Sequence, residues 1–256
     1  MSAETVVGDL VVALNLPASA RVGQRVPKKL LTENGAPTTA DKRAINEGVE
    51  ELVWLAALKP NTIGVPEYRN DVREYLEIAV LHLTLRAGAK AARIVALTHR
   101  AVPYPVLLLA ERPEGISISA AHKRWSQGEA GKTVLDDNIV EASLDSAPDN
   151  SLVQAFFQAL ALNRQSRLSL HALYQGWIDT LLAFQAACKT GRFMLADSPA
   201  SAAARHEALV ACSRLEAEIS RLRVAARREK QIARQVALNL EVKHIEAELV
   251  AVKRNL

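Results

Sequence analysis

The chain has 256 residues, of which 49% are hydrophobic and 4% aromatic, and its formal net charge is +4. This length and apolar content suffice for one large domain, or one domain with an appendage, built largely of helices. No apolar run reaches the roughly 18 residues of a membrane-spanning helix, so we expect no membrane partner. The mild positive charge permits an acidic or nucleic-acid partner without requiring one.

The cysteine content bears on the compartment and on metal binding. Cys188 and Cys212 are the only cysteines, and they form neither a C-x-x-C motif nor a zinc-ligand spacing. Two unpaired thiols fit a reducing compartment. The first residues lack a basic start followed by an apolar stretch, so no signal peptide is expected. The sequence therefore predicts a cytoplasmic protein without a metal or other cofactor.

The N-terminal part begins with a short amphipathic helix predicted over Met1–Leu16, followed by a basic stretch over Arg21–Leu31. Thr39 is suited to cap a second helix, which we expect from Ala40 to Leu58. The apolar stripe that predicts this helix consists of Val49, Leu52, Val53 and Ala56.

A mixed sheet is predicted next. Its most distinctive strand, Val106–Ala110, is uniformly apolar and should be covered on both faces. A helix over Lys90–Ala101 precedes it, and two prolines flanking Tyr104 make the connecting turn rigid. The other predicted strands are Thr62–Pro66, Tyr75–Leu85, Ile116–Ser119 and Val134–Ser143. These segments predict an α+β fold with a sheet of four or five strands packed with helices.

From Pro148 onward the sequence is helical, so we expect three parts: an α/β domain over 1–147, a helical segment over 148–198 and a long basic helix over 199–256. That last helix is expected to run from Ala202 to Leu256. Its apolar residues follow the four-three spacing of a coiled coil in two tracts. The tracts are out of phase, since Leu222 and Leu238 are 16 positions apart. The line of apolar residues that these tracts form, the apolar seam, must therefore be interrupted or change partner between the two tracts.

Two functions are predicted for this helix. The second apolar tract is the candidate partner-binding surface and consists of Leu238, Val242, Ile245, Leu249, Val252 and Leu256. The preceding basic run is the candidate nucleic-acid-binding surface and consists of Arg221, Arg223, Arg227, Arg228, Lys230 and Arg234. Such a run can displace counterions from a nucleic-acid backbone. The alternative is a solvated face of the coiled coil.

Enzymatic motifs are weak, and no catalytic residue is assigned. Gly131-Lys132-Thr133 resembles the end of a phosphate-binding loop, but Ser126 stands where that loop needs glycine, which favours a hairpin loop. A divergent metal-dependent nuclease would use Glu77, Glu141 and Lys123, with Asp136 and Asp137 as further carboxylates. The alternative is ordinary surface charge. The six histidines are scattered and show no zinc spacing.

A further segment, Ala121-His122-Lys123-Arg124-Trp125, ends a predicted strand with two cations and an aromatic residue. It could contact a phosphate or an acidic partner, with Trp125 stacking on it. A half-buried tryptophan at a strand end is the simpler interpretation.

Taken in order, several short motifs resemble the bacterial domain-of-unknown-function family 4391 over about residues 8–190. These motifs are Leu16-Pro17, Val22 to Lys29, Trp54, Leu58 to Ile63, Val102 to Pro105 and Ala121 to Arg124. The resemblance carries no catalytic motif. It implies an association with a helicase and a DNA methyltransferase in restriction-like or phage-defence gene clusters.

Three hypotheses follow. The first is a non-enzymatic accessory subunit that docks a helicase or DNA methyltransferase through its C-terminal helix and contacts DNA through the basic run. The second is the metal-dependent nuclease. The third is a homo-oligomeric coiled-coil scaffold without a nucleic-acid role.

Overall fold

The computed structural model describes residues 3–129 and 131–256, and the described chain is α+β. It divides into two compact units, one extending to Leu181 and the other beginning at Leu182. The strands are β1 Arg21–Arg25, β2 Val49–Leu58, β3 Tyr68–Arg69, β4 Glu74–Tyr75, β5 Ile78–Leu85, β6 Val106–Arg112, β7 Gly115–Trp125 and β8 Thr133–Ser143. The helices are α1 Ala3–Ala13, α2 Lys28–Asn34, α3 Thr39–Gly48, α4 Pro60–Ile63, α5 Ala91–Ala101, α6 Asn150–Leu160, α7 Leu170–Thr190, α8 Pro199–Arg228 and α9 Ile232–Lys253.

The described strands form a six-stranded mixed sheet in the order β1-β2-β5-β6-β7-β8, and β3 pairs with β4 in a separate ribbon. Strands β5 and β6 are parallel and are joined through α5, whereas the other neighbours are antiparallel. Four or five strands were predicted from the sequence. The difference comes mainly from β1 and β2, which the sequence pattern had marked as a basic stretch and as part of a helix.

Strand β6 lies inside the sheet, as predicted. All residues from Val106 to Ala110 are buried. Leu108 belongs to a cluster that includes Ile94 and Leu97 of α5, while Leu107 and Leu109 alternate to the opposite face and are equally buried. Both faces of this strand are therefore covered, which explains its uniformly apolar sequence.

The predicted helix from Ala40 to Leu58 is wrong in its second half, because α3 ends at Gly48 and the chain continues as β2. Two bulges interrupt β2, one between Val49 and Glu51 and one between Trp54 and Ala56. A bulge inserts an extra residue and so changes which side chains share a face. The buried residues Val49, Leu52 and Ala56 consequently recur at spacings of three and four, which imitate the period of a helix.

The predicted strand over Thr62–Pro66 is also wrong, since this region contains the short helix α4. Pro60 occupies the first turn of α4, and the Thr62 hydroxyl accepts a hydrogen bond from the Lys59 backbone N–H at 2.8 Å. Gly64 ends the helix with φ of 65°, a left-handed conformation that glycine adopts without strain. Proline at the start and glycine at the end are typical helix boundaries.

The predicted elements that correspond to α5, β5, β8, α6 and α7 agree with the structure in type and approximate bounds, and the predicted strand Ile116–Ser119 is part of the longer β7. The C-terminal prediction of one helix from Ala202 to Leu256 is wrong, because the chain turns between α8 and α9. No helix among the described residues is long and apolar enough to cross a membrane.

Candidate nucleic-acid and partner interface

Helices α8 and α9 form a hairpin that buries its own apolar seam. Leu215, Ile219 and Leu222 of α8 form one cluster with Val242 and Ile245 of α9. Leu238, Leu249 and Val252 are partly buried against the same cluster, and Leu256 is half-buried. The two out-of-phase tracts are thus the two sides of a single intramolecular seam, and the change of phase marks the turn of the hairpin.

The turn between the helices is held by polar contacts at its base. The Glu229 carboxylate accepts a hydrogen bond from the Gln231 backbone N–H at 2.9 Å, at the start of α9. The Gln235 side-chain amide donates to the carbonyl oxygen of Ala226 at 3.1 Å, near the end of α8. These contacts link the two helix ends across the turn and limit the orientations available to the side chains there.

The six predicted nucleic-acid-binding residues divide into two groups. Arg221 is paired with Glu218 at 2.7 Å, and Arg223 is paired with Glu246 at 2.6 Å. The other four are exposed and have no ion pair within the described part of the chain. We call these four the tip cluster: Arg227, Arg228, Lys230 and Arg234.

The dipole of α9 adds to the positive potential of the tip cluster, whereas the dipole of α8 partly offsets it. Arg227 and Arg228 lie in the last turn of α8, where cations are favourable. Arg234 lies in the first turn of α9, where the dipole is positive and a cation is unfavourable. That turn contains no acidic residue, and Gln231 makes no side-chain capping hydrogen bond. The start of α9 and the tip cluster therefore form one electropositive surface suited to an anion.

A second apolar surface lies on α9, opposite the seam. Ile232, Val236, Leu240 and Val250 are 78%, 51%, 61% and 57% exposed. They recur at helical spacing on one face, which we call the outer face of α9. Lys243 and Ala247 complete this face and are also exposed. A helix that buries one apolar face and exposes another has a surface available for a partner.

The residues proposed for a nuclease are engaged in other contacts at the sheet. Glu77 is buried and its Oε2 lies 2.9 Å from Lys59 Nζ, while its Oε1 has no hydrogen-bond partner among the described residues. Lys123 is buried and donates to the carbonyl oxygens of His99, at 2.7 Å, and Val102. Burial lowers the pKa of Lys123 to about 8. Lys123 thus satisfies carbonyl groups at the end of α5.

The remaining carboxylates of this hypothesis are not gathered around Lys123. Lys123 pairs with Leu135, whereas Glu141 pairs with Ser119, which lies four residues away from Lys123 along β7, or about 13 Å. Asp136 is paired with Arg73 at 2.7 Å and with Arg124 at 3.2 Å. The side chain of Asp137 lies outside the described part. Within that part, no three His, Cys, Asp or Glu side chains are grouped so that they could hold a metal ion.

An aromatic and histidine cluster at the same end of the sheet was not predicted. The rings of His122 and His171 stack with centroids 5.1 Å apart, and Tyr75 packs edge-on against His171 at 5.0 Å. Tyr75 is hydrogen-bonded to His122 Nδ1. Burial lowers the pKa of His171 to about 4, with further lowering by His122 and Arg73. The residues are far apart in sequence, so no local spacing could have indicated this cluster.

Comparison with known proteins yields one relationship. A family model described as a domain of unknown function (DUF4391) matches residues 14–249. This match confirms the resemblance drawn from the short motifs and extends it over both units. No curated protein and no solved structure matches the chain.

Proposed function

The chain belongs to the DUF4391 family, and we propose that it is a non-enzymatic accessory subunit of a bacterial phage-defence or restriction-modification-like system. In this role it docks a helicase or DNA methyltransferase and contacts DNA. The observation that supports this proposal is the α8–α9 hairpin, which exposes an apolar helix face and a cluster of unpaired cations. The family resemblance supports the identity of the partner.

The outer face of α9 is the proposed docking surface. The apolar seam between α8 and α9 is buried without Ile232, Val236 and Leu240. Because these three side chains are exposed, their apolar character adds little to the stability of the hairpin. Burying such side chains in an interface contributes roughly 1.5–3 kcal/mol for each fully buried residue, before the costs of association. This surface replaces the tract from Leu238 to Leu256 as the proposed contact with the partner.

Charge favours an acidic partner over a second copy of the chain. Lys243 lies near the middle of the outer face, is exposed and has no ion pair within the described residues. Two copies meeting across a twofold axis at this face would bring two Lys243 ammonium groups together. Like charges buried at an interface are costly, whereas a carboxylate on a partner helix would pair with Lys243. The proposed occupant is therefore an amphipathic partner segment that carries acidic residues.

The tip cluster is the proposed DNA contact. Its four cations lie within one short turn and the adjoining helix ends, so several of them can face the same phosphate backbone. Phosphate contacts of this kind position a protein on DNA without sequence preference. The DNA contact would thus hold the complex on its substrate, and the partner would supply the enzymatic activity.

Docking can be tested by co-expressing the chain with any helicase and DNA methyltransferase that are encoded beside it in its host. We expect one of them to co-purify, and we expect the double variant Ile232→Ser, Leu240→Ser to reduce its yield at least about tenfold. Val210→Ser, on an exposed valine of α8, should leave the yield unchanged.

Two results would contradict the docking proposal. One is the failure of both enzymes to co-purify with the unsubstituted chain, or the absence of such genes beside it. The other is a stable homodimer, measured by light scattering, that the same double variant converts to monomer. That second result would instead support the scaffold hypothesis.

DNA binding can be tested by fluorescence anisotropy with a duplex over a range of salt concentrations. The triple variant Arg227→Glu, Arg228→Glu, Lys230→Glu should weaken binding and reduce the slope of log K against log salt by about three. The control carries the same change in net charge elsewhere: Arg21→Glu, Lys42→Glu and Arg164→Glu. Equal loss of affinity in both variants would show that only total charge matters and would argue against a site at the tip.

A further inference from the structure

A cleft of about 460 Å³ lies at one end of the sheet, in the unit that precedes Leu181. It is formed where four segments meet: the end of α2, the end of α5 with its following turn, the end of β7 with the start of β8, and β4 with the residue after it. Its volume is within the range of small-molecule sites. The residues that matter for its chemistry are Arg100, Tyr104, Trp125, Lys132 and Thr133.

The cleft unites motifs that are separate in the sequence. Trp125 ends the segment that begins at Ala121, and Thr133 ends the segment that resembles a phosphate-binding loop; the two residues are paired across β7 and β8. The Thr133 hydroxyl donates to the carbonyl oxygen of Pro103 at 3.0 Å. This hydrogen bond links the β7–β8 pair to the rigid turn that carries Tyr104. The Trp125 backbone N–H donates to the Val72 carbonyl oxygen at 2.8 Å. The aromatic residues are therefore held in place by backbone contacts.

Among the described residues that line the cleft, Arg100 is the one cation without an ion pair. Glu33 is paired with Lys29 at 3.5 Å, Glu74 is paired with Arg69, and Lys132 is paired with Glu129. Arg100 is exposed and has neither a hydrogen bond nor an ion pair within residues 3–129 and 131–256. A second cleft, of about 710 Å³, shares Arg100 and Thr133 with the first. Arg100 is thus the residue available for an anionic group that enters either cleft.

Trp125 differs from the other tryptophans of the chain. The indole N–H of Trp54 donates to the Ala56 carbonyl oxygen and that of Trp177 to the Leu160 carbonyl oxygen, both at 2.8 Å. The indole N–H of Trp125 has no acceptor among the described residues, and its side chain is only half-buried. A partly exposed indole with a free donor, in the same cleft as Tyr104, suits a flat ligand that also accepts a hydrogen bond.

We propose that this cleft binds a nucleotide, with its base against Trp125 and Tyr104 and its phosphate at Arg100. An acidic peptide would use Arg100 but would leave the aromatic pair without a partner. A double helix cannot present a base to a cleft of this size, because its bases are stacked and paired. The ligand is therefore a free nucleotide or an unpaired nucleotide of a single strand. This proposal does not depend on the α8–α9 hairpin, since every cleft residue named in the proposal precedes Leu181.

The test is titration of the full chain with AMP, with inorganic phosphate and with a short single-stranded oligonucleotide, followed by tryptophan fluorescence and calorimetry. We expect AMP or the oligonucleotide to quench the fluorescence to saturation, and phosphate alone to leave it unchanged. Tighter binding of AMP would identify a free nucleotide as the ligand, and tighter binding of the oligonucleotide would identify a single strand. The oligonucleotide is also titrated into the tip-cluster triple variant, so that binding at the hairpin is not counted.

Substitutions assign the binding to the cleft. Arg100→Ala and Trp125→Ala should each weaken the affinity about tenfold, which is typical for loss of one base-stacking partner or one phosphate contact. Trp125→Phe should remove most of the quenching but retain binding by calorimetry, and it serves if the alanine variant fails to fold. Arg21→Ala and Trp54→Phe should bind normally. Absence of saturable binding, unchanged affinity in Arg100→Ala and Trp125→Ala, or quenching retained in Trp125→Phe would overturn the proposal.

Discussion

At the scale of single residues, polar side chains buried beside the sheet hold the end of α5. His99 is fully buried, and its Nε2 lies 2.9 Å from the Ser119 hydroxyl, while Lys123 donates to its backbone carbonyl oxygen. Burial and the nearby charge of Lys123 lower the pKa of His99 from 6.5 to about 3. The folded chain therefore keeps His99 neutral at pH values where the unfolded chain protonates it. The fold has a built-in sensitivity to acid at this position.

This sensitivity predicts how stability depends on pH. Between pH 6.5 and 3 the unfolded state binds a proton at His99 that the folded state does not, so stability is complete above 6.5 and falls as the pH falls. His99→Gln cannot titrate and should reduce the stability difference between pH 7 and pH 5 by about 2 kcal/mol. Urea unfolding at both pH values measures this difference. His244→Gln, on an exposed histidine, is the control, and equal pH dependence in both variants would contradict the assignment.

At the scale of elements, Gly48 decides where α3 gives way to β2. A Cβ at this position would lie 2.6 Å from Ile94 Cδ1 and 3.1 Å from Ala89 Cβ. The backbone of Gly48 is thus in close contact with α5 and with Ala89, which lies two residues before α5, and a side chain at Gly48 would force them apart. The absence of a Cβ allows the chain to pass under α5 and enter the sheet.

The close approach at Gly48 predicts a destabilised variant. Gly48→Ala should lower the free energy of unfolding by about 1–3 kcal/mol, since overpacking displaces Ile94 and Ala89. Gly8→Ala in α1 is the matched control, because nothing lies within 4 Å of a Cβ there, and alanine should raise helix stability slightly. Urea unfolding followed by tryptophan fluorescence compares the two. A Gly48→Ala protein as stable as the parent would show that α5 is free to shift.

At the scale of the whole molecule, two of the apolar cores formed by the described residues share no residue. One lies between the sheet and helices α2, α3 and α5, and the other lies inside the α8–α9 hairpin. The three tryptophans, Trp54, Trp125 and Trp177, all belong to the unit that ends at Leu181. Tryptophan fluorescence therefore reports on that unit alone, whereas circular dichroism reports on helices of both.

Separate cores predict separate unfolding transitions. In urea, the helical signal should fall in two steps, and only one of them should coincide with the change in fluorescence. Leu222→Ala shortens a buried side chain of the α8–α9 hairpin. It should lower the free energy of unfolding for the step seen only by circular dichroism by about 2–5 kcal/mol and leave the fluorescence transition unchanged. Leu240→Ala, on an exposed leucine of α9, should change neither step. A single coincident transition that Leu222→Ala shifts in both signals would show that the units unfold together.

The sequence alone determined those features that depend on local pattern. The uniformly apolar run from Val106 to Ala110 identified an interior strand, and the four-three spacing from Leu238 to Val252 identified a helix with one buried face. Both patterns arise because each side chain's burial follows from the period of its own element. The ordered motifs likewise identified the family correctly.

Only the tertiary structure decided the features that depend on distant pairing. The bulges of β2 follow from its pairing with β5, the turn after Arg228 follows from the packing of α9 on α8, and the cleft at Trp125 requires segments far apart in the sequence to meet. In each case the residues are compatible with more than one local conformation. The free energy of burying them together selects one of these, and that energy is a property of the contacts rather than of any single segment.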